Sequence, residues 1–160
     1  ESPLAGETAE QLVERLACAK AAKVAEDYTD GLIIGSDQIA VIDGEVLGKP
    51  GSHDSAVSQL QKASGKTVTF LTGLCLINTS TAQTQSEVVP FRVVFRELNH
   101  SQIDNYLKAE QPYNCAGSFK SEGLGIALFD RLEGEDPNTL IGLPLIRLIR
   151  MLEAEGVQPI

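Results

Sequence analysis

A short apolar run, Leu32-Ile33-Ile34, reaches Gly35-Ser36, and an acid, Asp37, follows at once with Gln38 behind it. An apolar run bounded by turn residues predicts a buried strand over residues 31–35. Just beyond, Ile39-Ala40-Val41-Ile42 and Glu45-Val46-Leu47 flank Asp43-Gly44, and Asp-Gly between apolar runs is a strong hairpin signal. This stretch must therefore build a sheet, and its hairpin is expected to bring Gly48-Lys49-Pro50 back toward Asp37. In α/β proteins chemistry collects at the ends of buried strands, where a polar side chain can reach a cleft. An acid there, with a lysine one hairpin away, suggests a site that handles anions with a metal or a base.

The rest of the chain alternates helices and strands. Thr8 and Gln11 have capping-box spacing, which opens a helix running to Ala25 with Leu12, Val13, Leu16, Ala17 and Val24 as its apolar stripe. Lys20 falls on that stripe, either snorkelling at its edge or pointing into an anion site. Ser52 is the expected N-cap of a second helix ending before Gly65, with Ala56, Leu60 and Ala63 facing inward. Residues 67–77 and 87–95 read as strands separated by a polar loop. Asn99 with Gln102 caps a helix to about Ala109. An apolar strand over 125–129, a turn at Asp136-Pro137-Asn138 and a closing helix over 143–155 complete the chain. Strands in hairpins alternating with single helices imply an α/β fold, a mixed sheet flanked by helices.

Length and composition narrow the function. A chain of 160 residues, 42% hydrophobic and 22% charged, is expected to form one globular domain. No apolar run approaches the ~20 residues that span a bilayer. Cys18, Cys75 and Cys115 are odd in number and far apart, which argues against a disulfide scaffold or a zinc site and fits a reducing cytoplasm. All three read as buried filler. The net charge of -9 argues against a nucleic-acid partner, although a local cation cluster could still bind a small anion. The two histidines, His53 and His100, fall at helix starts and are expected to be solvated. No His-Glu-x-x-His or P-loop pattern occurs. A hard cation held by carboxylate and phosphate oxygens needs neither His nor Cys and stays open.

A second informative stretch is Gly117-Ser118-Phe119-Lys120-Ser121-Glu122-Gly123, with two hydroxyls, a Lys and a Glu between glycines that permit close backbone approach. With Gly35-Ser36-Asp37-Gln38, Gly48-Lys49-Pro50, Thr72-Gly73-Leu74, Cys115-Ala116 ahead of Gly117, and Asp136-Pro137-Asn138-Thr139, it stands in the order and spacing of the Maf family. The chain thus resembles nucleoside triphosphate pyrophosphatases over essentially its whole length. The Ser-Phe-Lys-Ser-Glu-Gly version looks like the branch that hydrolyses 7-methyl-GTP. The dTTP/UTP branch typically has Gln-Gly where this chain has Glu122-Gly123. Family members open with a short strand and a Ser-x-Ser-Pro-x-Arg loop that grips phosphates, and by motif spacing roughly thirty residues of that kind are expected to be missing ahead of Glu1.

The resemblance implies the elongated sheet of the Maf and inosine triphosphate pyrophosphatase folds, in a single domain over residues 1–160. It implies Asp37 as proton acceptor and metal ligand, with Mg²⁺ or Mn²⁺ bridging phosphate oxygens. Lys20 and Lys49 would balance phosphate charge, Glu122 and Gln38 would set base specificity, and Ser118 and Lys120 would join them in binding the nucleotide. A cytoplasmic homodimer with a small-molecule nucleotide substrate is the implied setting. Two alternatives remain: the same chemistry on dTTP or UTP, and a non-catalytic nucleotide-binding role in septum formation, with which the family is linked by name.

Overall fold

A computed structural model describes residues 2–160. In chain order the elements are α1 (Ala9–Ala25), β1 (Leu32–Ile42), β2 (Glu45–Leu47), α2 (His53–Ala63), β3 (Thr67–Asn78), β4 (Gln83–Phe95), α3 (His100–Glu110), β5 (Phe129–Glu133), α4 (Asn138–Ile141) and α5 (Leu145–Ala154). Two short 3₁₀ segments, Ala116–Ser118 and Leu124–Leu128, precede β5. The expected α/β architecture is present: one five-stranded sheet, ordered β2-β1-β3-β4-β5, with helices flanking it. Its strands run antiparallel where a mixed sheet was expected. The hairpin pairs Ala40 with Leu47, Val94 pairs antiparallel with Arg131, and the N–H of Thr79, past the end of β3, bonds to the carbonyl of Gly31, ahead of β1.

The chain divides into two compact units, each assembled from separated segments. The first comprises Glu1–Gln38, Leu71–Pro90 and Asp136–Ile160. Its organising contact is glycine against helix backbone. A Cβ on Gly35 would sit 2.3 Å from the carbonyl oxygen of Ala17, and one on Gly73 would sit 2.3 Å from that of Val13. Val13 and Ala17 are one helical turn apart, so α1 lies directly on β1 and β3, with only small residues between backbones. Ala17, Ala21 and Cys75 form the buried cluster on that side. Because side chains alternate along a strand, Leu74 and Leu76 face the other way, where Leu148 and Met151 of α5 cover them. Cover on both faces explains why β3 is buried almost throughout and reads as a continuous apolar run.

The second unit comprises Ile39–Phe70 and Phe91–Glu135. Phe70, Phe95, Phe119 and Phe129 pack edge to face with ring centres 5.0–5.4 Å apart, the preferred geometry for aromatic quadrupoles. Ala56, Leu60 and Ala63 of α2 and Ile103, Tyr106 and Leu107 of α3 are buried in the same unit.

Several local expectations change. β1 does not stop at Gly35 but continues through Ser36-Asp37-Gln38 to Ile42, because Gly35 serves helix approach rather than a turn. β4 begins at Gln83, since ladder bonding needs no apolar side chain and the polar Gln83-Thr84-Gln85-Ser86 looked like loop. Residues 124–128 form a 3₁₀ segment rather than a strand; the Gly125 N–H bonds back to the Lys120 carbonyl, which leaves no extended backbone there. Val24 is exposed, and Ala21 takes its place on the buried stripe of α1. No helix among the described residues is long and apolar enough to cross a membrane.

Candidate active site

Asp37 sits mid-strand on β1, two residues beyond Gly35 and therefore on the face that α1 covers. Lys20 lies three residues past Ala17, whose carbonyl rests over Gly35. The two side chains meet: the Lys20 ammonium donates to the Asp37 carboxylate. The carboxylate is 11% exposed and the lysine 45%, so the acid is sheltered and its cation faces solvent. Lys20 is exposed on α1 and its charge ends on an acid. This places a sheltered carboxylate beside a more exposed cation.

The other face of β1 points at a different segment. Ser36 Oγ donates to the Gly142 carbonyl at 2.7 Å, and Gln38 Nε2 donates to Thr72 Oγ1 and to the Thr139 carbonyl, both at 2.8 Å. Asp136 makes that segment rigid. It is 2% exposed, and its carboxylate accepts from the Asn138 N–H at 2.9 Å, Asn138 Nδ2 at 2.8 Å and the Ile146 N–H at 2.9 Å. Burial pushes its carboxyl up, but the N–H donors outweigh burial and hold it below the usual carboxylate range. The motif read as a simple turn is therefore a buried anion that ties α4 to the first turn of α5. The Asp-x-Asn spacing was the available signal, since an Asp accepting from the N–H two residues on is a known turn device.

The second unit carries the remaining candidates on loops. Lys49 is exposed between β2 and α2, beside an open hollow of about 510 Å³ that includes Pro50, Ser55, Ser58 and Gln59. Ser118 is fully buried, with its hydroxyl donating to Gln59 Oε1. Lys120 is half-buried, and its backbone N–H donates to Tyr106 Oη at 3.0 Å. Glu122 is exposed and accepts from Ser121 Oγ at 3.3 Å. The loop is closed by the Leu124 N–H on Glu110 Oε2 at 3.0 Å. Burial pushes the Tyr106 hydroxyl up, so this anchor remains a neutral phenol across the physiological range.

Sequence reasoning missed three polar anchors. Gln59 and Glu110 sit on otherwise ordinary amphipathic helices and carry no local signature. His53 was expected to be solvated but bridges Tyr113 Oη at 2.9 Å and Asp104 Oδ1 at 3.0 Å, partners fifty or more residues away. The cysteines are free thiols, with Cys75 buried and Cys18 and Cys115 half-buried.

The chain is thus an α/β protein with a helix-flanked antiparallel sheet and a sheltered carboxylate–lysine pair in its first unit. The sequence matches the Maf family, described as Maf-like protein, over residues 1–155, and the chain belongs to that family. The family consists generally of nucleoside triphosphate pyrophosphatases, hydrolases of nucleotide metabolism.

Proposed function

We propose that this chain hydrolyses 7-methyl-GTP to 7-methyl-GMP and pyrophosphate. The observation that carries the reading is the Asp37–Lys20 pair: an acid on a strand pressed against α1, held beside a cation, to which the family resemblance assigns proton acceptance. In this reaction water attacks the α-phosphorus, the bond to the β-phosphate bridging oxygen breaks, and pyrophosphate leaves with that electron pair. The water's proton goes to Asp37. The triphosphate is a dense polyanion, so neutralisation and alignment carry much of the rate. Lys20 would turn part of its charge from Asp37 to the phosphates, and Lys49 would supply a second cation.

A divalent ion, Mg²⁺ or Mn²⁺, fits the donor chemistry. Among the described residues no group of three or more His, Cys, Asp or Glu forms a cage. Asp37 would supply a carboxylate oxygen, with phosphate and water completing a hard-cation shell. Bound there, the ion would neutralise developing phosphate charge.

Glu122 would read the base. Guanine presents N1–H and its 2-amino group together, a donor pair that suits one carboxylate in bidentate contact. Methylation at N7 makes the ring cationic and N1–H more acidic, so a carboxylate gains more from the methylated base. Gln38, whose amide nitrogen is committed to Thr72 and Thr139, would meet the ligand through Oε1. Ser118 and Lys120 would contribute through the loop that presents Glu122. A cytoplasmic homodimer belongs to the same proposal; the family resemblance supports the dimer, and the free thiols fit a reducing compartment.

The test is a pyrophosphate-release screen over 7-methyl-GTP, GTP, dTTP and UTP with Mg²⁺ or Mn²⁺. Fastest release from 7-methyl-GTP is expected. Fastest release from dTTP or UTP moves the chain to the other substrate branch. Nucleotide binding without release from any of them favours a sensing role.

A further inference from the structure

Gln59 belongs to none of the motifs above, yet it touches two of them. From the middle of α2 its Nε2 donates to the Gly48 carbonyl at 3.0 Å, and its Oε1 accepts from the buried Ser118 hydroxyl. The Gly48 carbonyl can only accept, so it fixes which end of the amide is nitrogen, and the oxygen must then face Ser118. One planar amide therefore joins the turn that carries Lys49 to the loop that carries Lys120 and Glu122. Both loops need such a tie. Gly117 and Ser118 adopt left-handed conformations in succession, φ 76° and 65°. For Ser118 that geometry is unfavourable unless its surroundings enforce it. The Gly48–Lys49–Pro50 turn is mostly exposed and has no regular secondary structure of its own.

We infer that Gln59 is a positioning residue that sets the spacing between the phosphate-binding lysine turn and the base-reading loop, and so tunes nucleotide affinity without touching the reacting atoms. Its functional consequence rests on the pyrophosphatase reading; its structural content does not. The task uses a donor and an acceptor on one side chain. Glu would keep the acceptor for Ser118 and lose the donor for Gly48, and Leu would fill the volume and lose both.

The variants Gln59→Leu and Gln59→Glu are compared by amide hydrogen exchange of the ligand-free protein and by steady-state kinetics. In Gln59→Leu, exchange at residues 48–51 and 117–123 is expected to rise together by about tenfold. In Gln59→Glu only residues 48–51 should loosen, a split that general destabilisation would not produce. KM for the triphosphate turned over fastest should rise about tenfold in Gln59→Leu, with kcat within about threefold of the parent. Unchanged exchange at either loop in Gln59→Leu, or equal loosening of both loops in the two variants, overturns the bridge. Loosened loops with unchanged KM, or a loss confined to kcat, overturn its role in affinity. If no nucleotide is turned over at all, the pyrophosphatase reading fails while the exchange data still decide the bridge.

Discussion

The two units hold their polar groups by different means. In the first, Asp37 is on a strand whose backbone is pressed against α1 at Gly35, and its neighbours Ser36 and Gln38 are bonded to a segment that Asp136 clamps from below. In the second, Lys49, Lys120 and Glu122 are on loops held by side-chain bonds from Gln59, Tyr106 and Glu110 rather than by a ladder of backbone bonds. A rigid strand suits a group that must meet a reacting atom within a fraction of an ångström. Loops with few anchors suit groups that recognise a ligand and can vary without disturbing the core. The comparison predicts that substitutions in the first unit will cost chemistry or folding, and those in the second will cost affinity or selectivity.

The sharpest test is Asp37→Asn. The amide keeps the shape and a hydrogen-bond acceptor for Lys20 but cannot take a proton. The expected loss in kcat is about 10³-fold, with a thermal midpoint close to that of the parent. Near-normal pyrophosphate release would remove the proton-acceptor role and with it the contrast between the units. Next in size is Gly73→Ala. Its Cβ would meet the Val13 backbone carbonyl oxygen at 2.3 Å, so α1 must move off β3. About 3 kcal/mol should be lost in urea unfolding. The control is Gly31→Ala, where a Cβ meets nothing within 4 Å. It should shift stability by less than about 0.5 kcal/mol.

The helix starts were legible because caps are local: the Thr8–Gln11 and Asn99–Gln102 boxes and the Ser52 cap all form as their spacing implies. Asp37 stood out in the sequence as an acid directly after an apolar run and a Gly-Ser pair. The strand's continuation through Gly35 was hidden, since a glycine serving helix approach looks the same in sequence as one making a turn. The tethers of the second unit were hidden for a related reason. Gln59, Glu110, Tyr106 and His53 act on partners distant in sequence, and no periodicity reports which loop a helix side chain will reach.

A smaller effect is expected from Glu122→Gln. Glu122 is exposed and only its neighbour Ser121 bonds to it, so folding should be unaffected. The ratio of kcat/KM for 7-methyl-GTP over UTP should fall about tenfold, equivalent to about 1.4 kcal/mol. A fall in kcat for every nucleotide alike would instead make Glu122 part of the chemistry, against the division drawn between strand and loops.

The smallest effect concerns stability in acid and asks whether the first unit's rigidity has an electrostatic part. Glu7 sits ahead of α1 and accepts from Arg15 Nε at 2.6 Å, Arg15 Nη2 at 2.9 Å and the Leu4 N–H at 2.9 Å. The Arg15 bonds, followed by the Leu4 N–H, lower its carboxyl from 4.5 to about 2. A carboxyl lowered on folding contributes stability that is complete above its unfolded value and is lost as pH falls through its folded value. The parent should therefore exceed Glu7→Gln in urea midpoint by a constant margin at neutral pH. That margin should shrink from about pH 4.5 downward and vanish near pH 2. Because Arg15 is partly exposed, added salt should narrow the margin at every pH above that window. A margin independent of pH would mean that the Glu7–Arg15 pair contributes by packing alone.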